Sequence, residues 1–193
     1  MSELKVYKMI RFFDITISLS ILFFFLPIII IVSILIFLID GRPIIFKQSR
    51  VGHMGKEFMI LKFRTMKNSN FKDEKLKLTI LGKILRKTSL DELPQLINVL
   101  KKEMSVVGPR PLPVIIENKI DHNYKMKRRR ILPGLTGMSQ INYTGKNRRL
   151  IDKIFLDLEF IDNYSVYNYL KILLKTPYIL IIRFLKNKSS IIE

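Results

Sequence analysis

The chain of 193 residues has no cysteine and no tryptophan, and two histidines, His53 and His122. Without cysteine there is no disulfide scaffold, no thiolate zinc site and no thiol nucleophile. Two histidines leave little room for a His-rich metal site or a Ser-His-Asp scheme. Both histidines read as surface residues, His53 beside a hairpin glycine and His122 in a polar helix. No phosphate-cradling glycine loop of the GxxxxGK[ST] or GxGxxG kind is present. Negative charge is also scarce. Lys and Arg number 34 against 16 Asp and Glu, a net charge of +18. The partners this favours are anionic: nucleic acid, phosphorylated substrates or an anionic membrane surface. Hydrophobic residues make up 48% of the chain, so its charge does not mark it as disordered.

The longest absence of charge runs from Ile15 to Ile39, between Asp14 and Asp40. As a helix this run is about 37 Å long, enough to cross a hydrocarbon core of about 30 Å. Pro27 lies at its centre and lacks the amide that the helix ladder needs. Ser18, Ser20 and Ser33 are candidates to satisfy backbone groups freed there. Basic residues flank both ends: Lys5, Lys8 and Arg11 before, Arg42, Lys47 and Arg50 after. That symmetry fits a hairpin that enters and leaves one leaflet at Pro27. A kinked spanning helix is the alternative. Residues 1–40 carry three basic and three acidic groups, so the whole excess of charge lies in 41–193, the part that would face an anionic leaflet.

In that polar part, 44–50 and 57–63 are β-rich runs separated by Gly52 and Gly55, which reads as a hairpin. Residues 68–78 read as a loop, and 79–87 as a short helix. A longer helix starts near Asp91, with Ser89 and Glu92 in capping-box spacing and Pro94 in the first turn. Residues 112–130, 150–164 and 165–186 read as further helices around the turns 108–111 and 133–137. The last carries Lys171, Lys175 and Arg183 on one face and bends at Pro177, as an interfacial helix would. The fold class is predominantly α with a small β-hairpin (α+β), with 1–40 as membrane hairpin and 41–193 as catalytic domain.

Asp91 and Glu92 are adjacent acids where free amides favour the ionised form. An ionised Asp is a nucleophile towards phosphorus or a ligand for Mg²⁺. Most acids at such positions only cap helices. Arg110, fixed between two prolines, suits bidentate phosphate binding. Lys62, Arg64 and Arg86 are further candidates, although a single basic residue is usually a solvated charge. Arg128, Arg129 and Arg130 read as a solvated or lipid-facing face.

Taken together, Phe13-Asp14 before the apolar run, GRPIIFKQSRVG (41–52), LKFRTM (61–66), SLDELPQL (89–96) with GPRP (108–111), PGLTGMSQIN (133–142) and DLEFIDNYS (157–165) closely resemble the bacterial sugar transferase family, the monotopic phosphoglycosyl transferases. The matching stretches cover nearly the whole chain in the family's order, in what looks like its minimal form. The resemblance implies an enzyme at the cytoplasmic face of the bacterial inner membrane. It implies transfer of a phosphosugar from a UDP-sugar to polyprenyl (undecaprenyl) phosphate, releasing UMP, as the first membrane step of glycan synthesis. It assigns Asp91 as the nucleophile that forms a covalent phosphosugar intermediate and as a Mg²⁺ neighbour. Glu92 becomes its helper, and Lys62, Arg64, Arg86 and Arg110 become phosphate-binding residues. It also implies a re-entrant hairpin broken at Pro27, and anionic inner-membrane lipids as partners, with no nucleic acid. The chain departs from the family in three places: Leu26 instead of Ser before the proline, Met138 where a bulky apolar residue is common, and a longer 142–147 stretch. The rival readings are a non-catalytic basic adaptor on anionic lipid and a nucleic-acid-binding membrane protein. The adaptor predicts that Asp91→Asn leaves function intact.

Overall fold

The computed structural model describes residues 2–66, 78–142 and 149–189, with side chains to 185. The order is α1 (Glu3–Asp40), β1 (Ile45–Val51), β2 (Glu57–Phe63), α2 (Ile80–Thr88), α3 (Gln95–Leu100), β3 (Ser105–Val107), α4 (Val114–Glu117), α5 (His122–Arg128), β4 (Gly134–Thr136), α6 (Met138–Ile141), α7 (Leu150–Asp162) and α8 (Val166–Ser189). The class is the expected one: mostly helical, with an antiparallel β1–β2 hairpin in which Ile45 faces Phe63 and Val51 faces Glu57. Of the expected loop at 68–78 all but Leu78, and of the stretch 142–147 all but Asn142, lie outside the described residues.

α1 is one helix with Pro27 inside it, not two helices separated by a gap. Proline removes the bond to the carbonyl of Phe23. The Ser33 hydroxyl instead donates to the carbonyl of Ile29 at 2.7 Å. The two ends of α1 are packed and the middle is not. Val6, Ile10, Phe13 and Ile17 join a core with Phe58, Ile60, Val99, Val106 and Tyr169. Ile29, Val32 and Ile36 join a second core with Phe63, Leu85, Leu90 and Leu93. Between them Phe23 and Phe24 are each 74% exposed, beside exposed Leu19, Phe25, Leu26 and Ile28. The most apolar window of α1 has a mean hydropathy of 3.3 and is 11% buried, so this is a helix long and apolar enough to cross a membrane.

Asp14, at the start of the apolar run, is buried and not a solvated flank. One of its oxygens accepts from Ser105 Oγ at 2.9 Å, the Val106 amide at 2.7 Å and Tyr169 Oη at 2.8 Å. Arg11, one turn earlier, donates to the last carbonyl of α3, Leu100, at 2.9 Å. α3, β3 and α8 thus meet at the first arm of α1.

Two strands escape the sequence reading. β3 and β4 pair in parallel, Ser105 with Gly134 and Val107 with Thr136. Each is three residues long, too short for a visible period-two pattern. Their approach is close: a Cβ on Gly134 would lie 2.0 Å from the Gly108 amide nitrogen. The expected helix over 112–130 is two helices, α4 and α5, with Asp121 capping the second through the Asn123 amide. α7 and α8 fall close to where the periodicity places them, with Pro177 inside α8.

Candidate active site

The site begins at a turn. Ser89 adopts a left-handed conformation at φ 58° and makes no cap bond with its side chain. The capping box expected from Ser89 and Glu92 therefore does not form. Leu90–Glu92 instead make one 3-10 turn ahead of α3, whose N-cap is Pro94. The turn is held from below, because Leu90 and Leu93 pack into the second core against α1. Its two acids differ: Asp91 is buried, while the Glu92 side chain is 24% exposed at the rim of a cleft.

β2 brings in the first cation. Phe58 and Ile60 point into the core, and Lys62, two residues on along the same face, emerges at its edge. Its Nζ lies 2.6 Å from Glu92 Oε1. The register between β2 and α3 is set by Asn98, which is buried. Its Oδ1 accepts from the Leu61 amide at 3.0 Å and its Nδ2 donates to the Met59 carbonyl at 2.9 Å. An amide side chain thus completes the free edge of β2 as a third strand would. The sequence reading passed over Asn98, because a lone Asn in a helical pattern carries no mark of this use.

Arg110 enters from the opposite wall, its guanidinium 3.8 Å from Glu92 Oε1 and 48% exposed. Arg86, on α2, donates from Nε to Thr65 Oγ1 at 2.9 Å, and its charge acts on Asp91. Arg64 is placed differently. It is buried, and it donates to the carbonyls of Gly41 and Arg42, each at 2.7 Å, and to that of Asp40. Its donors close the C-terminal end of α1 instead of facing the cleft. Arg50, which the sequence reading did not select, does line the cleft, with Gln95, Gln140, Pro111, Lys62, Glu92 and Arg110. It donates to the Pro111 carbonyl at 3.2 Å and to Gln48 at 2.6 Å. Burial and the charge of Arg110 make it less basic than a free arginine. The cleft opens to solvent and, with that open space counted, spans about 240 Å³.

Electrostatics divides the acid pair. Burial, and next the charge of Glu92, raise the Asp91 carboxyl to about 6, against the opposing pull of Lys62 and Arg86. Burial acts on Glu92 in the same direction, but Lys62 and Arg110 outweigh it and hold Glu92 below the ordinary glutamate range. The result is one firmly ionised, ion-paired acid beside one poised acid. No cluster of three or more His, Cys, Asp or Glu side chains occurs among the described residues. Two adjacent carboxylates, one engaged by Lys62, fit Mg²⁺ in its common mode, in which substrate phosphates and water supply most of the ligands.

Arg128, expected on a solvated or lipid-facing surface, is buried: its side chain is 6% exposed, against Glu117 and Asp157. Arg129 is also paired, with Glu117 at 3.2 Å. Burial of these charges rests on two carboxylates from α4 and α7, partners too distant in sequence to be read from it. His122 is exposed and His53 half-buried.

A family profile described as bacterial sugar transferase matches residues 5–183. The sugar transferase EpsL of Bacillus subtilis (strain 168) is 40% identical over 177 residues, covering 86% of this chain and 84% of the relative. A Klebsiella pneumoniae protein named UDP-glucose:undecaprenyl-phosphate glucose-1-phosphate transferase is 35% identical over 187 residues, covering 87% of this chain and 39% of the relative. An undecaprenyl-phosphate galactose phosphotransferase of Salmonella typhimurium is 37% identical over 172 residues, covering 75% and 34%. The chain thus spans well under half the length of the two relatives whose names state an activity.

Proposed function

The chain belongs to the bacterial sugar transferase family, and from that premise we propose that it transfers a phosphosugar from a UDP-sugar to a polyprenyl phosphate with release of UMP. The observation that carries the reading is the acid pair. A buried, poised Asp91 stands beside an ion-paired Glu92, with Lys62, Arg86 and Arg110 around them.

In this reading an ionised Asp91 oxygen attacks the β-phosphorus of the donor. The bond from that phosphorus to the bridging oxygen breaks, and UMP leaves with the oxygen and the electron pair. An oxygen of the polyprenyl phosphate then attacks the aspartyl phosphosugar, and the carboxylate is released unchanged. Three anions would meet here, so charge neutralisation is the main demand. Arg110 and Lys62 stand where they can move from Glu92 to a donor phosphate. Glu92 holds these cations until the donor arrives and can accept a proton from the acceptor phosphate. Mg²⁺, with Asp91 as neighbour, would supply further neutralisation of the diphosphate.

The acceptor is a lipid, and α1 supports a site at a membrane surface. Its two packed ends and uncovered apolar middle fit a helix that dips into one leaflet at Pro27 and returns. An apolar surface of that extent is not left to water. On this reading the basic 41–193 part faces anionic lipid at the cytoplasmic side.

The test is UMP release by purified protein in detergent, with undecaprenyl phosphate, Mg²⁺ and a panel of UDP-sugars, beside Asp91→Asn. Release with one donor, lost in the variant, is the expected outcome. A non-catalytic adaptor would give no release from any donor while still binding anionic vesicles.

A further inference from the structure

The three carbonyls of the Pro109-Arg110-Pro111 turn each accept one donor. Pro109 receives the Gly134 amide at 2.9 Å, which ties the turn to β4. Pro111 receives Arg50 Nη1 at 3.2 Å. Arg110 receives Arg128 Nη2 at 2.7 Å. The same Arg128 nitrogen lies 3.2 Å from Asp157 Oδ2. The Arg110 carbonyl is therefore held by one half of a buried ion pair, whose other half, Asp157, orients Arg128. Glu117, 4.0 Å from Arg128 and 3.2 Å from Arg129, completes a balanced set of two cations and two anions.

A buried ion pair is weak support for stability by itself, because desolvation offsets most of its attraction. What it does supply is a fixed geometry. The pair lies on α5 and α7, and its contact with the turn is with backbone, where it sets the direction from which the Arg110 side chain leaves. We infer that Arg128, oriented by Asp157, is a positioning residue for Arg110, holding its backbone at the carbonyl so that its guanidinium reaches Glu92. This rests on the reading of Arg110 as a phosphate-binding residue. Neither Arg128 nor Asp157 is expected to touch substrate.

The experiment is a double-mutant cycle between Arg128→Lys and Arg110→Gln, read as affinity for inorganic pyrophosphate by calorimetry and as kcat/KM for the donor. Lysine keeps the charge but loses the planar guanidinium, whose one terminal nitrogen meets Asp157 and the Arg110 carbonyl while the other faces Glu117. Alone, Arg128→Lys should weaken both readouts by about 10- to 100-fold, the scale of a misplaced group. In the Arg110→Gln background the same change should cost less than about twofold, since no guanidinium is left to aim. Asp157→Asn, close in shape, runs through the same cycle and carries the test if Arg128→Lys fails to fold. Equal losses in both backgrounds would mean general damage and overturn the inference, as would an Arg110→Gln protein that binds pyrophosphate like the parent. If the parent transfers no phosphosugar, the functional reading falls, and the pyrophosphate cycle still decides the positioning role.

Discussion

Asp91 is held in a state that opposes folding. Its folded pKa of about 6 lies above the unfolded aspartate value. Below both values the protonated side chain costs nothing; above the folded value the buried charge costs about 3 kcal/mol. Asp91→Asn should therefore raise the melting temperature by several degrees at pH 8, with the gain fading to nothing by about pH 3. A gain independent of pH would remove burial as the cause. The same group sets activity in the opposite direction. The acid limb of kcat/KM should fall through an apparent pKa near 6, because the nucleophile must be ionised. Glu92→Gln should move that limb to lower pH, since Glu92 is one of the charges that raise Asp91. At this scale the sequence was informative where motif and chemistry coincide: Asp91, Glu92, Lys62 and Arg110 meet at one turn. It was uninformative about Arg64, Arg50 and Arg128, because whether an arginine faces a phosphate, a carbonyl or a buried carboxylate depends on chain segments far away in sequence.

Elements position the site through a few side chains that act as backbone. Asn98 is the clearest, joining α3 to the open edge of β2 through two bonds. Asn98→Leu would bury an unpaired N–H at Leu61 and an unpaired C=O at Met59. A loss of about 3 kcal/mol follows, about 6–12 °C in melting temperature for a chain of this size, with weaker donor binding because Lys62 loses its register to Glu92. A thermal melt and a donor KM check both. For α1 the absence of cysteine is an experimental advantage. Glu3→Cys and Arg42→Cys give single-thiol proteins, and an impermeant reagent should label both from the cytoplasmic side of sealed vesicles. Labelling on opposite sides would establish a spanning helix. The hairpin, α2, α7 and α8 were legible because their periodicity is local. The 3-10 turn, β3, β4 and α6 were not, because elements of three or four residues are stabilised by their neighbours and not by a repeat of their own.

For the molecule as a whole, the apolar helix also supplies part of the hydrophobic core of residues 41–193. Ile10 and Ile36 are 1% and 0% exposed, in two different clusters. Deleting residues 2–40 should not release a soluble catalytic part. It would uncover both clusters and remove the Asp40 carbonyl, one of the three that hold Arg64, and the truncated chain should aggregate or show no cooperative melt. A truncation that melts cooperatively and binds pyrophosphate would overturn this. Composition and charge pointed correctly to a long apolar segment with a basic remainder, but they read the two as separate units. The integration rests on Val6, Ile10, Val32 and Ile36, four apolar residues that hydropathy cannot distinguish from their neighbours.

The bond between Asp14 and Tyr169 has a consequence in time. Its partners are 155 residues apart, so Asp14 is made well before Tyr169. At about 5–20 residues per second on the ribosome, the carboxylate waits roughly 10–30 s for its phenol. Until β3 is made, 91 residues on, the first arm of α1 has neither β3 nor Tyr169 to cover it, and it lacks Tyr169 for the whole interval. A helix left waiting must be sheltered by lipid or by a chaperone, so α8 holds α1 in place only after that interval.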